Sequence, residues 1–259
     1  MKQHRIDLLH GNIVTVLTRL AVPIMATALV QTAYNLTDMA WIGVVGSDAV
    51  AAVGAAGMYT RLASGVVMLA KMGGQVMVAQ SIGQRKKERA IAFGRGAMQM
   101  TLILSILYGL VTVTFAAPLI GFFHLNSAEI AREAQIYLRI ACGLIIFPFF
   151  GQTITGLYTA AGNSRTPFIA NCLGLLLNLI FDPVLILGVG PFPALGVAGA
   201  AIATVSAQAV VVLALVVAAV RGKDPILFQQ LVIWKNSAGF VSEFRQLFRN
   251  WSIAEFPWF

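Results

Sequence analysis

The chain has 259 residues, of which 58% are hydrophobic and only 11% are charged, whereas soluble domains carry about 25% charged residues. This composition excludes an ordinary soluble domain and indicates an integral membrane protein. The formal net charge of +8 does not indicate nucleic-acid binding, because no basic stretch is interleaved with aromatic residues for base stacking.

Six segments are long and apolar enough to cross a membrane as helices. They cover residues 20–45, 50–82, 91–118, 129–159, 166–189 and 195–220. The sequence therefore predicts an all-α integral membrane fold, with a six-helix transmembrane lobe in residues 1–221. Residues 222–259 mix basic and acidic residues with Leu, Phe and Trp at helical spacing, which predicts an amphipathic helix on the inner membrane surface.

Lysine and arginine are concentrated in alternate connections between these spans. The N-terminal segment, "GQRKKERA", "GNSRTP" and the stretch after the sixth span contain them, whereas "VGSDAV", "FHLNSAE" and "GVGPFPALG" contain none. By the positive-inside rule, both termini are cytoplasmic in a multi-pass protein of the cell membrane. The "RKKER" run is interpreted as a solvated cytoplasmic loop rather than a lipid headgroup site.

The sequence contains no arrangement that indicates covalent chemistry. His4, His10 and His124 lie outside the spans, and no catalytic triad or phosphate-binding loop is apparent. Cys142 and Cys172 lie inside apolar segments, where small buried side chains are the ordinary interpretation. We therefore expect no enzyme activity, no cofactor, no disulfide and no cysteine metal site.

Ionisable side chains inside the spans are costly, so each is a candidate functional group. Asp38 and Asp182 each lie seven residues before the outer end of their span, at a depth of about 10 Å. Thr204 and Tyr137 lie at a comparable depth in the sixth and fourth spans. We therefore expect these four side chains to lie at one level. Arg61, Lys71 and Arg139 are further ionisable residues inside the spans, and Arg132 and Glu133 lie near a membrane boundary.

The fifth span contains the sharpest polar pattern. Asn178 and Asp182 are four residues apart and so share one face of a helix. Pro183 has no N–H to donate to the carbonyl of Leu179, which leaves an acceptor beside the pair. Such oxygen groups suit a hard monovalent cation, by extension from the rule for hard cations, while desolvation favours a protonated carboxyl group. The pattern predicts an ion-coupling site.

A structural alternative is that Asp38 or Asp182 pairs with Arg61 or Arg139 and only holds the bundle together. Lys71 either extends to the inner surface or faces an aqueous cavity.

Small residues and prolines within the spans predict close helix packing and bends. Gly196, Ala200 and Thr204 recur every four residues, so this face is expected to pack closely against a neighbour, with the fifth span as the candidate. Pro23, Pro148 and Pro183 are predicted sites of helix bending.

Several stretches together resemble the multidrug and toxic compound extrusion (MATE) family. These are "DLLHGNIVTVLTRLAVPIM", "YNLTDMAWIG", "GQVMVAQSIGQ", "GNSRTP", "NLIFDP" and "GVAGAAIAT". The resemblance implies a secondary antiporter that expels organic, often cationic compounds in exchange for Na⁺ or H⁺. It also implies a cation site at Asp38, Asn178, Asp182 and Thr204, with Tyr137 as a less close match. Beyond Na⁺ at these residues, no metal is expected.

The family fold has twelve helices in two six-helix lobes, with the substrate cavity between them. The predicted spans supply one lobe, so the expected partners are a small organic substrate, the bilayer and a second six-helix lobe. The resemblance implies either a truncated product or a half-transporter, of which truncation is the favoured expectation. The alternatives are a non-transporting helix bundle with structural ion pairs and a related lipid-precursor flippase.

Overall fold

A computed structural model describes residues 13–188, 193–222 and 229–231. Its helices are, in chain order, α1 (Ile13–Val45), α2 (Ser47–Gly83), α3 (Lys87–Thr114), the short α4 (Ala116–Gly121), α5 (Ala128–Gly143), α6 (Ile146–Ala160), α7 (Arg165–Ile186) and α8 (Gly196–Arg221). The helices form a bundle with two ends. At the Gly46 end, α1 meets α2 and α7 leads into α8; at the Arg85 end, α2 meets α3.

The all-helical membrane fold is confirmed. α2, α3, α7 and α8 are long and apolar enough to cross a membrane, and α5 with α6 make a fifth crossing if they are taken as one bent span. α1 has 33 residues and covers the first predicted span, but it is not among these helices. The sixth crossing and the cytoplasmic termini therefore stay predictions.

The predicted fourth span, residues 129–159, is not one straight helix. α5 and α6 meet at an angle of 45°, and the break falls at Leu144 and Ile145. Pro148 explains this position, because its ring collides with the carbonyl four residues earlier and it has no N–H to donate. In contrast, Pro23 and Pro183 lie within continuous helices, and the third predicted span divides into α3 and α4.

The helices bury two core clusters, one toward each end of the bundle. The cluster at the Gly46 end includes Ile42 and Leu138, and the cluster at the Arg85 end includes Phe93 and Leu157. Together the two clusters draw on all eight helices, so polar side chains facing the interior of the bundle lie within a protein environment.

α8 packs against α7, as the small residues of α8 predict. The closest approach is at Gly199, where an added Cβ would collide with the carbonyl oxygen of Leu185, and at Gly174, where it would collide with Val211. Gly196 starts α8 with a φ of +54° and has no neighbouring atom at the Cβ position. The close contact therefore uses Gly199 rather than Gly196.

A short segment beyond α8 contacts α3. Gln230 is buried and its Nε2 donates to the carbonyl of Ala90 at 3.0 Å. Arg95 Nε donates to the carbonyl of Gln229 at 2.9 Å, and Gly94 leaves room for the Gln230 side chain. The remainder of the predicted amphipathic helix in residues 222–259 lies outside the described residues, apart from Gly222.

Candidate functional site

The fifth predicted span places an amide and a carboxyl group together in the protein interior. Asn178 and Asp182 lie on one face of α7 and are both 0% exposed. Asn178 Nδ2 donates to Asp182 Oδ1 at 2.9 Å. The second oxygen of Asp182, Oδ2, and the amide oxygen of Asn178 are buried without a hydrogen-bond partner. Two buried acceptors without donors are costly, so the site favours a ligand that accepts electron pairs.

A second polar pair joins α1 to α8 next to the first. Thr204 Oγ1 donates to Asp38 Oδ1 in a long hydrogen bond of 3.5 Å. Asp38 is half-buried, and its helix α1 packs against α7, which carries Asp182. Two carboxylates brought close together resist simultaneous ionisation, so a bound cation or proton that neutralises one of them relieves the repulsion.

Asp38 also lines a cavity of about 600 Å³ in the bundle. Tyr137 of α5 and Thr204 of α8 line the same cavity, whereas Asn178 and Asp182 are not among its lining residues. Tyr137 is itself 6% exposed. The structure thus brings Asp38, Thr204 and Tyr137 to one cavity and places the α7 pair behind its wall.

The basic residues of the predicted spans separate into two groups. Arg61 and Lys71 of α2 line the cavity. Arg139 is exposed on α5 and does not line it. Among the residues that the structure describes, neither arginine forms an ion pair with Asp38 or Asp182, so the structural alternative of an ion pair is not observed at these positions.

The sequence interpretation missed a polar stripe on α1. Gln31 and Asn35 line the cavity together with Asp38. Their spacing of four and three residues places all three on one helix face, and that spacing could have indicated the stripe before the structure was known. The stripe extends the polar wall of the cavity beyond the carboxyl group.

The chemistry of the α7 pair suits a proton or a hard monovalent cation. Its free acceptors are one carboxylate oxygen and one amide oxygen, which are ligands for hard cations. Within the described ranges, no group of three or more His, Cys, Asp or Glu side chains could hold a metal ion. The arrangement therefore fits a single monovalent charge better than a transition metal.

Known proteins are similar to this chain in both sequence and fold. The MatE family model matches residues 23–184. An FAD transporter of Shewanella oneidensis is 29% identical over 202 residues, 77% of this chain and 44% of that protein. A probable multidrug resistance protein NorM of Thermotoga maritima is 31% identical over 199 residues, 73% of this chain and 40% of that protein. The chain thus spans less than half the length of these relatives.

Solved structures agree with this assignment. The outward-facing conformation of a multidrug resistance MATE family transporter of the MOP superfamily superposes with a TM-score of 0.79 at 26% identity, covering 95% of this chain and 53% of the other. The crystal structure of MATE in the bent conformation, at 24% identity, shares the fold with a TM-score of 0.83 over 95% of this chain and 54% of the other. The chain belongs to the MATE family of multi-pass membrane transporters, which are not enzymes.

Proposed function

We propose that the chain forms one lobe of a secondary active antiporter that exports small organic compounds in exchange for Na⁺ or H⁺. The observation that carries this proposal is the buried Asn178–Asp182 pair with its two free oxygens. A buried carboxyl group without a basic partner is expensive in a membrane protein and marks an ion or proton path by default. The similarity to probable multidrug resistance proteins supports export as the direction of transport.

The coupling ion would bind at the α7 pair. Asp182 Oδ2 and the Asn178 amide oxygen would hold Na⁺, or Asp182 Oδ2 would carry the proton. In this proposal the charge at Asp182 acts on Asp38, which lines the cavity on a helix that packs against α7. Binding of a positive charge at Asp182 therefore changes the electrostatic potential that a cargo meets at Asp38.

A second six-helix lobe, from the same polypeptide or from another chain, completes the export path in this proposal. Residues 1–221 supply the first lobe with six crossings, with α1 as the remaining crossing and both termini in the cytoplasm. Residues 222–259 then serve as an amphipathic cytoplasmic linker or as the start of the second lobe. The relatives named above are about twice as long as the part that this chain matches, which supports a two-lobe assembly.

The experiment is ion-driven efflux of a fluorescent organic cation from proteoliposomes that contain the reconstituted protein. Asp182→Asn should abolish efflux that is driven by a Na⁺ or H⁺ gradient, because the amide cannot bind a proton or neutralise a cation. Asp48→Asn is the matched control, since Asp48 is exposed at the start of α2. Unchanged efflux in Asp182→Asn would overturn the proposal.

The same variant separates the antiporter from a non-transporting helix bundle. A purely structural role for Asp182 predicts a lower unfolding temperature in Asp182→Asn with no change in ion or proton binding. The coupling role predicts the loss of ion or proton binding in a protein that still inserts and folds.

A further inference from the structure

One face of α2 places two basic side chains along the cavity. Arg61 and Lys71 both line it, and the ten residues between them correspond to about 15 Å along the helix axis. Gln75, four residues beyond Lys71, lies on the same face and also lines the cavity. This basic stripe takes no part in the ion site that involves Asp38 and Asp182.

The position of Lys71 is fixed by a glycine on the facing helix. A Cβ added at Gly156 of α6 would lie 3.1 Å from Lys71 Cγ and 3.4 Å from Gln75 Oε1. The stem of Lys71 and the amide of Gln75 therefore lie side by side over Gly156. Lys71 is only partly exposed, so part of its side chain packs in the cavity wall.

The charges of the cavity wall are unequal. Lys71 and Arg61 contribute two positive charges, whereas Asp38 is the single acidic side chain among the lining residues that the structure describes. Neither Lys71 nor Arg61 has an ion-pair or hydrogen-bond partner among described residues. A partly buried cation without a counter-charge is unfavourable, so this part of the wall attracts an anionic group.

We propose that Lys71 and Gln75 form a subsite for an acidic group, a carboxylate or a phosphate, on an amphiphilic organic cargo. The ammonium group and the side-chain amide donate hydrogen bonds to its oxygens, and Arg61 adds to the positive potential. Apolar lining residues such as Met39 and Phe149 accommodate the rest of the molecule. The inference rests on the proposed function for the identification of this cavity as a cargo site.

The two ends of the cavity are chemically different. Asp38 lies in the part of α1 near the Gly46 end, whereas Lys71 lies toward the Arg85 end. A cargo can therefore place an acidic group at Lys71 while another part of the molecule contacts Asp38. This arrangement keeps the acidic subsite separate from the carboxyl group that responds to the coupling ion.

Binding of two fluorescent probes to the purified full chain in phosphatidylcholine nanodiscs tests the subsite. Dansylglycine carries a carboxylate, and dansylglycinamide is its neutral counterpart. Lys71→Gln should weaken dansylglycine binding about tenfold and leave dansylglycinamide binding unchanged, while Lys71→Arg should retain most of the affinity. The matched control is Arg139→Gln, which removes the same charge from an exposed position outside the cavity.

Two further measurements extend this test. Raising the salt concentration should weaken dansylglycine binding to the unmodified chain and leave dansylglycinamide binding unchanged, because screening acts only on the charged probe. Replacing part of the phosphatidylcholine, whose headgroup is zwitterionic, by anionic phosphatidylglycerol identifies the source of the acidic group. Loss of the difference in dansylglycine affinity between the unmodified chain and Lys71→Gln assigns the subsite to an anionic lipid headgroup, and retention of that difference assigns it to a soluble cargo.

Equal affinity for the two probes, or equal losses in Lys71→Gln and Arg139→Gln, would overturn the subsite and leave ion-driven export of cations standing. Charge-dependent probe binding without ion-driven efflux would overturn the proposed function and leave the subsite standing.

Discussion

The two carboxyl groups of the membrane interior differ in their surroundings. Asp182 is fully buried and retains one oxygen without a partner, whereas Asp38 is half-buried, lines the cavity and accepts a hydrogen bond from Thr204. Solvent therefore reaches the carboxyl group of Asp38 and not that of Asp182. In the proposed antiporter, this difference makes Asp182 the residue that holds the charge and Asp38 the residue that transmits its effect to the cavity.

Because Asp182 is buried more deeply than Asp38, Asp→Asn should impair ion binding more at Asp182 than at Asp38. Electrostatic interactions strengthen as water is excluded, and truncation of a buried charged partner costs several-fold more than truncation of an exposed one. We therefore expect the largest functional effects at the buried Asp182 and smaller effects at the half-buried Asp38.

The first prediction compares Asp→Asn at both positions. Asp182→Asn should eliminate saturable binding of the coupling ion, whereas Asp38→Asn should weaken it about tenfold, since it removes a neighbouring charge and not a ligand. Isothermal titration of the purified variants with Na⁺ measures both effects without relying on transport. Equal losses in the two variants would contradict the division of roles.

The second prediction concerns pH in a Na⁺-coupled protein. A proton on Asp182 Oδ2 occupies the oxygen that would bind Na⁺, so the apparent Na⁺ affinity should fall as pH is lowered. For one competing proton the limiting slope is about tenfold per pH unit. Na⁺ titrations at several pH values measure it. A pH-independent Na⁺ affinity would show that the proton and the cation do not share this carboxyl group.

The third prediction tests whether close packing of α7 and α8 positions the buried pair. Gly199→Ala adds a methyl group against the carbonyl oxygen of Leu185 and should lower the free energy of unfolding by about 1–3 kcal/mol. Gly65→Ala is the control, because no atom lies within 4 Å of its Cβ position. Thermal unfolding in nanodiscs measures both, and similar stabilities would contradict the predicted close contact.

The fourth and smallest effect concerns the hydrogen bond at the cavity. Thr204→Val removes the hydroxyl group that donates to Asp38, and a hydrogen bond of this kind contributes about 1 kcal/mol, so ion affinity should change less than tenfold. Thr155→Val is the matched control, since Thr155 lines the cavity on α6. A loss as large as that in Asp182→Asn would show that Thr204 is itself an essential ligand.

Part of this arrangement follows directly from the sequence. The four-residue spacing predicted that Asn178 and Asp182 share a face, and depth in the membrane placed Asp38 near Thr204. The different burial of Asp38 and Asp182 could not be predicted, because it depends on how α1, α7 and α8 pack together. Helical periodicity predicts which residues share a face of one helix, whereas the burial of a residue depends on the helices that pack against that face.

The boundaries of the helices were also only partly predictable from the sequence. Hydropathy marked residues 129–159 as one span, since apolar composition does not register a bend. Pro148 signalled a disruption, but its consequence, a break at Leu144 and Ile145, appears only once α5 and α6 are positioned. The placement of Lys71 over Gly156 likewise arises from contact between two helices that are distant in sequence.

The most direct test of the buried pair as the coupling site is infrared difference spectroscopy of the purified chain. Spectra recorded with and without Na⁺, and at high and low pH, reveal a carboxyl group that changes its ligand or its protonation. We expect such a band in the unmodified chain and in Asp48→Asn, and its loss in Asp182→Asn. An unchanged difference spectrum in Asp182→Asn would contradict the assignment of ion coupling to this residue.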